Sequence, residues 1–360
     1  MTSQKINVLV ADDSKLMRMF LVHLLESDPQ IHIVGTVNDG QAAVDFVRVK
    51  KPDVVVMDIN MPNLDGFEAT RLIMETEPVP IIICSATTDT KQVVTTFRMM
   101  EAGAVACVEK PVARENADFE RLAANLLDTV KLMSEVKVVR RWPRAGSTTT
   151  ITSRPVERKP LPGKVTLVGI GASTGGPLVL QTILSSLTKD FPCPLLIVQH
   201  VARGFLPGMV EWLNQTTGLP VHVASHGTFP LPGHAYLAAD DFHMGVGAGG
   251  RIIMSGEEPE NGLRPAVSFL FRSLAEVCGP DSVGVLLTGM GKDGAAELKL
   301  MRDNGAVTIA QDRESSVVHG MPGEAIQIGG AMYVLAADKI AATLISVANR
   351  LHQRTEATKS

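Results

Sequence analysis

Short, uniformly apolar runs bounded by glycine or proline recur along this chain, and polar residues of chemical interest stand just beyond their C-terminal ends. Runs of this kind predict strands buried on both faces of a parallel sheet. In the first 130 residues they are INVLVA (6–11), IHIVGTV (31–37), DVVVM (53–57), IIIC (81–84) and AVACVE (104–109). Between them the apolar period becomes helical. Leu16, Met17, Phe20, Leu21, Leu24 and Leu25 share one face, behind Asp13 or Ser14 as the cap. Strand and helix in alternation predict a doubly wound parallel sheet. The second half repeats the pattern with VTLVGIGA (165–172), LLIV (195–198) and VGVLLTGMG (283–291). Each of these runs leads to a different member of a serine, histidine and aspartate set: the first into Ser173, the second through Gln199 into His200, the third through Lys292 into Asp293.

Charge divides the chain further. Residues 1–130 carry a net charge of −7, residues 131–164 a net +7, and the remainder −4. The basic stretch loses strand signals, and its WPRAGSTTTITSRPVERKPLPG segment is too polar to bury much apolar surface. It reads as a linker, with 143–162 mobile or loosely docked. No fingerprint for base or phosphate recognition accompanies it, so a nucleic-acid role is not expected. The 360 residues suffice for two domains, and no run approaches the roughly 18 apolar residues a membrane helix needs. Four scattered cysteines and no cleavable signal pattern point to a reducing cytoplasm, without a disulfide framework.

Asp12, Asp13, Asp58, Ser85 and Lys110 all fall at predicted strand C-termini in the first half. Three carboxylates at one sheet edge repel unless a hard cation joins them, and Mg²⁺ suits such a site. Asp58 is then placed to attack phosphorus, Ser85 to hydrogen-bond phosphoryl oxygens, and Lys110 to pair with their charge. Each acid alone would serve equally as a helix cap or loop residue; their concentration at one edge favours the site.

In the second half, Gly171, Ser173 and Gly175 satisfy G-x-S-x-G between a strand and a helix. Thr174 replaces the third glycine of a dinucleotide fingerprint, and Gly176-Pro177 stands where a phosphate loop needs Gly-Lys. An anion-binding turn remains open for this run taken alone. His200 and Asp293 at neighbouring strand ends complete the set that acyl transfer requires, and Asp293 can also cap the helix that follows it. The order Ser, His, Asp differs from that of α/β-hydrolases and points to a different scaffold.

Residues 5–125 resemble a response-regulator receiver domain in the pair Asp12–Asp13, in MDINMPNLDG around Asp58, in SAT at Ser85, and in EKP at Lys110–Pro111. The resemblance implies a cis peptide before Pro111. One departure is Cys107, where receivers carry an aromatic residue. Residues 165–350 resemble the catalytic domain of the chemotaxis protein-glutamate methylesterases in GIGASTGGP, IVQH, AYLAADDFHM, RPAVSFLF, LLTGMGKDGA and SVVHGMPGEAI. His319 stands where that family has an aromatic residue.

These likenesses imply a fold of two doubly wound α/β domains, a flavodoxin-like receiver (1–130) and a Rossmann-like esterase (164–352), joined by a linker (131–163). They imply a phosphorylation-regulated hydrolase of glutamate γ-methyl esters, and of selected glutamines, on methyl-accepting chemoreceptors, with a chemotaxis histidine kinase as phosphodonor. They make Ser173 the nucleophile, His200 the base, Asp293 its orienter, and the Met290 backbone N–H an oxyanion donor. Mg²⁺ is expected in the receiver and no cofactor in the esterase. A cytoplasmic protein without membrane insertion is expected. A transcriptional regulator would need a basic DNA-binding output domain, which the acidic second half does not offer.

Overall fold

The computed structural model describes residues 5–85, 90–111, 116–136, 138 and 167–357. The connector expected to be mobile at 143–162 lies outside them. The chain divides into two compact units, Met1–Val156 and Glu157–Ser360.

The first unit alternates β1 (Ile6–Ala11), α1 (Lys15–Leu25), β2 (Ile31–Val37), α2 (Gly40–Lys50), β3 (Val54–Met57), α3 (Gly66–Thr76), β4 (Ile81–Ser85), α4 (Thr90–Ala102), β5 (Ala106–Glu109) and α5 (Asn116–Ser134). Its strands form one sheet in the order β2-β1-β3-β4-β5, with every pairing parallel. This is the flavodoxin-like order, with a switch point between β1 and β3. All four residues of β3 are buried, as an uninterrupted VVVM run requires. Side chains cap the helices: Ser14 accepts from Met17 N–H, Asp39 from Ala42 and Asp65 from Glu68. Of the two expected caps of α1, Ser14 takes the role. The apolar stripe of α1 is shorter than its sequence pattern, because Leu16 in the first turn is exposed while Leu21 and Leu25 are buried. Among the described residues the cis peptide bond lies at Arg264–Pro265, not at Lys110–Pro111.

The second unit contains β6 (Leu167–Ala172), α6 (Gly176–Ser185), β7 (Leu195–Gln199), α7 (Leu206–Thr216), β8 (Val221–Val223), β9 (Ala235–Leu237), β10 (His243–Val246), β11 (Ile252–Ser255), α8 (Val267–Val277), β12 (Ser282–Leu286), α9 (Ala295–Asp303), β13 (Val307–Gln311), α10 (Met321–Gln327), β14 (Tyr333–Leu335) and α11 (Ala337–Ala357). Seven strands make a parallel sheet ordered β14-β13-β12-β6-β7-β9-β8, and β10 and β11 form a separate antiparallel pair. The chain starts in the middle at β6, moves to one side through β7, and returns to the other side at β12. The switch point therefore flanks β6.

Glycines in β6 bring α8 onto the sheet. A Cβ on Gly169 would lie 2.4 Å from Leu274, and one on Gly171 would lie 2.3 Å from Val267. Both neighbours are fully buried, so neither position has room for a side chain. The expected strand at 283–291 is cut short: β12 ends at Leu286, and Gly291 takes a positive φ of 80° that a strand does not adopt. Among the described residues no helix is long and apolar enough to cross a membrane.

Candidate active site and phosphoacceptor site

Ser173 follows the last residue of β6 and His200 the last residue of β7. These strands pair with Ala172 opposite Gln199, and His200 N–H donates to the Ala172 carbonyl at 3.0 Å. On the other side, Ser173 N–H donates to the Thr288 carbonyl at 3.0 Å, in the loop after β12. Ser173 is thus held between the ends of β6 and β7 on one side and the loop after β12 on the other, at the switch point. Gly289 lets that loop approach, since a Cβ there would fall 2.7 Å from Ser173 Cβ. The same loop delivers Asp293, whose Oδ2 lies 3.0 Å from His200 Nε2.

The carboxylate of Asp293 is buried, whereas the His200 side chain keeps some exposure. Nε2 is the ring nitrogen that faces the acid. The contact is close but bent, because Nε2 meets no acceptor at hydrogen-bonding alignment. Catalytic hydrogen bonds in ligand-free sites are often of this kind and tighten when substrate binds. Burial by itself would push the Asp293 carboxyl up. His200, the Ser268 hydroxyl and the Val267 N–H together outweigh it and hold the group below its ordinary range. Asp293 does not cap α9, as its sequence position allowed. Its oxygens instead accept from Val267 and Ser268 N–H, at the start of α8.

Two polar side chains around Ser173 have roles that the sequence does not show. Gln199 is buried at the end of β7 and donates to the carbonyls of Ser173 and His200. Thr288 donates to the carbonyl of Thr174 at 3.0 Å and accepts from Val318 N–H at 2.9 Å, while its own N–H donates to Gln311 Oε1. Apart from the bond of Gln199 to the adjacent His200, their partners lie more than twenty residues away, and the fold brings them together. Met290 follows Gly289 in this loop and its side chain is half exposed. His319 pairs with Gly289 through an isolated bridge, and burial lowers its basicity.

In the first unit the expected residues converge on the edge at the β1/β3 switch point. Lys110 Nζ lies 2.7 Å from Asp12 Oδ2 and 2.9 Å from Asp58 Oδ1. Asp12, Asp58, Ser85 and Lys110 are all buried, while Asp13 is exposed. Ser85 and Lys110 are joined through the backbone, with Lys110 N–H donating to the Ser85 carbonyl at 2.8 Å. Burial pushes the Asp58 carboxyl up, and Lys110 only partly offsets it. Burial would also lower Lys110, but Asp58 and Asp12 outweigh it and keep the ammonium charged.

One oxygen from each of Asp12, Asp13 and Asp58 lies within 4.8 Å of the others. A single lysine neutralises one of these three charges, so the donor set fits a hard divalent cation. Near this cluster the Cys84 thiol is pushed up to about 12, chiefly by desolvation, and Cys107 is raised as well.

Residues 168–344 match the family model described as CheB methylesterase, and residues 8–118 match the response regulator receiver domain. A protein-glutamate methylesterase/protein-glutamine glutaminase of Geobacter metallireducens is 53% identical over 344 residues, which cover 95% of this chain and 99% of that protein. A protein of the same description from Nitrosospira multiformis is 51% identical over 345 residues, covering 95% and 97%. Among solved structures, the CheB methylesterase catalytic domain of Thermotoga maritima is 40% identical, with a TM-score of 0.50, and covers 51% of this chain and 99% of that one.

Proposed function

Because this chain belongs to the CheB methylesterase family and carries a response regulator receiver domain, we propose that it hydrolyses glutamate γ-methyl esters on chemoreceptors under the control of phosphorylation at Asp58. The observation that carries the chemistry is the 3.0 Å approach of His200 to Asp293 beside Ser173, at the switch point of the second sheet.

In this reading Ser173 Oγ attacks the ester carbonyl while His200 Nδ1 takes its proton. Asp293 stabilises the imidazolium that results. As the tetrahedral intermediate collapses, the C–OCH₃ bond breaks and the imidazolium returns the proton, releasing methanol. Water, activated by the same imidazole, then cleaves the acyl-enzyme to free carboxylate and serine. A glutamine side chain would follow the same course with ammonia as leaving group. The Met290 N–H is assigned to the developing oxyanion, a contribution typically worth about 3 kcal/mol.

In the receiver, Asp12, Asp13 and Asp58 would hold Mg²⁺, which when bound supplies charge neutralisation for phosphoryl transfer. Lys110 pairs with the phosphorylated carboxylate and Ser85 binds its oxygens. A chemotaxis histidine kinase would be the phosphodonor, and the cytoplasm the site of action. Methanol release from a methyl-labelled receptor, with and without acetyl phosphate and Mg²⁺, tests the reading. Ser173→Ala should abolish release, and Asp58→Asn should leave basal release while removing its response to phosphodonor. Undiminished release by Ser173→Ala would overturn the assignment.

A further inference from the structure

The Asp293 carboxylate accepts three hydrogen bonds and turns its remaining side to His200. Oδ2 accepts from Val267 N–H at 2.6 Å and faces His200 at 3.0 Å. Oδ1 accepts from Ser268 N–H at 3.0 Å and from Ser268 Oγ at 2.6 Å. Ser268 Oγ in turn receives the Gly294 N–H at 3.0 Å.

A hydroxyl has one proton to give. The Gly294 amide brings its own, so the Ser268 proton is committed to Oδ1 and the hydroxyl cannot reverse. Three consequences follow. The carboxylate accepts from three donors and faces the imidazole with what remains, an arrangement that suits its ionised form. Oδ1 is fully engaged, so Oδ2 is the oxygen turned to the imidazole. Finally, Gly294 adjoins Asp293, so one hydroxyl clamps both the side chain at 293 and the backbone at 294. Ser268 is 4% exposed, and no bulk water reaches it to substitute.

We propose that Ser268 is a positioning residue of the esterase, fixing the rotamer of Asp293 and thereby the orientation of the His200 ring. The inference rests on the esterase reading above and deepens it. Ser268 touches neither substrate nor Ser173; it acts through Asp293.

The test uses the full-length chain, treated with acetyl phosphate and Mg²⁺ and assayed by methanol release. Ser268→Ala should lower kcat by about 10- to 100-fold, the scale seen when outer hydrogen bonds that orient metal-ligating side chains are lost, with KM unchanged. Ser268→Thr keeps the hydroxyl and should recover most of kcat. A low-field proton resonance of His200 Nε2–H, identified by its loss in Asp293→Asn, should shift in Ser268→Ala and return in Ser268→Thr. A merely structural serine would change the folded fraction without moving that resonance.

Folded Ser268→Ala with wild-type kcat and an unmoved resonance overturns the proposal. Should Ser268→Ala not fold, Ser268→Cys decides: its weaker donor should give reduced kcat at unchanged KM, and full kcat refutes the role. If the wild-type chain releases no methanol, the esterase reading fails instead, and the resonance still reports whether Ser268 orients Asp293.

Discussion

Gln199 Nε2 lies 2.8 Å from the carbonyl oxygen of Ser173 and 2.9 Å from that of His200. Both protons of one buried amide are thereby spent on the backbones of the proposed nucleophile and base. Its Oε1 has no donor and rests against Gly176, where a Cβ would fall 2.1 Å away. Gly176 leaves room for the amide, and the amide spaces the two strand ends.

Replacing Gln199 by Glu keeps the shape and reverses the electrostatics, because a carboxylate oxygen would face two carbonyls. Burying such unpaired acceptors is expected to lower stability by about 1–3 kcal/mol. A displacement of Ser173 relative to His200 of about 1 Å is expected to lower kcat by roughly 100-fold. Urea unfolding and methanol release measure the two effects, and a folded Gln199→Glu chain with undiminished kcat contradicts the spacer role.

Gly289 gives a second, purely steric handle. A methyl group there would stand 2.7 Å from Ser173 Cβ and 2.3 Å from Met321 Sδ. Met321 is fully buried, and Ser173 is held by its N–H bond to Thr288. Gly289→Ala should therefore move the hydroxyl and cost about 100-fold in kcat, with overpacking lowering stability by about 1–3 kcal/mol. Unchanged turnover in the alanine variant would show that the loop, not Ser173, yields.

How much of this was legible beforehand follows from the range of each interaction. The buried runs announced β1, β3, β4, β6 and β7, because an apolar segment between turn residues has few other fates. The reactive residues were legible because an open α/β sheet gathers strand C-termini at one edge. The short edge strands β8 and β14 carried too few residues to register. The overlong reading at 283–291 arose because Leu287 and Met290 extend an apolar pattern through a loop whose glycines end it. Ser268 and Gln311 escaped notice for another reason. Their partners Asp293 and Thr288 lie more than twenty residues away, and only the folded sheet brings them together.

The receiver site predicts a pH-dependent affinity for Mg²⁺. The Asp58 carboxyl titrates above its ordinary value because it is buried, and the cation requires the ionised form. Proton competition should begin above pH ~4, where an exposed aspartate is already ionised. Calorimetric titration with Mg²⁺ should show affinity falling on acidification from neutral pH, and Asp58→Asn should flatten that dependence. Affinity independent of pH down to the ordinary carboxylate range would remove Asp58 from the cation site.

Asp293 has the opposite sign. Its folded pKa lies below the unfolded value, because the donors from His200, Ser268 and Val267 outweigh burial. The stability it contributes is then complete above about pH 4, the value of an unperturbed aspartate, and drains away as pH falls through the depressed folded value. Asp293→Asn removes the charge and sets an amide N–H₂ against donors, so its Tm should fall well below wild type at pH 7. That gap should narrow progressively below about pH 4 as the wild-type carboxylate is itself protonated. Activity should already be lost at pH 7, since an amide cannot stabilise the imidazolium, and loss of the corresponding charge in a serine protease costs about 10⁴-fold in kcat. Thermal melts of both chains from pH 7 to pH 3 distinguish the cases. A gap that stays constant across this range would mean that Asp293 holds α8 by shape alone, and that its charge contributes nothing to the folded state.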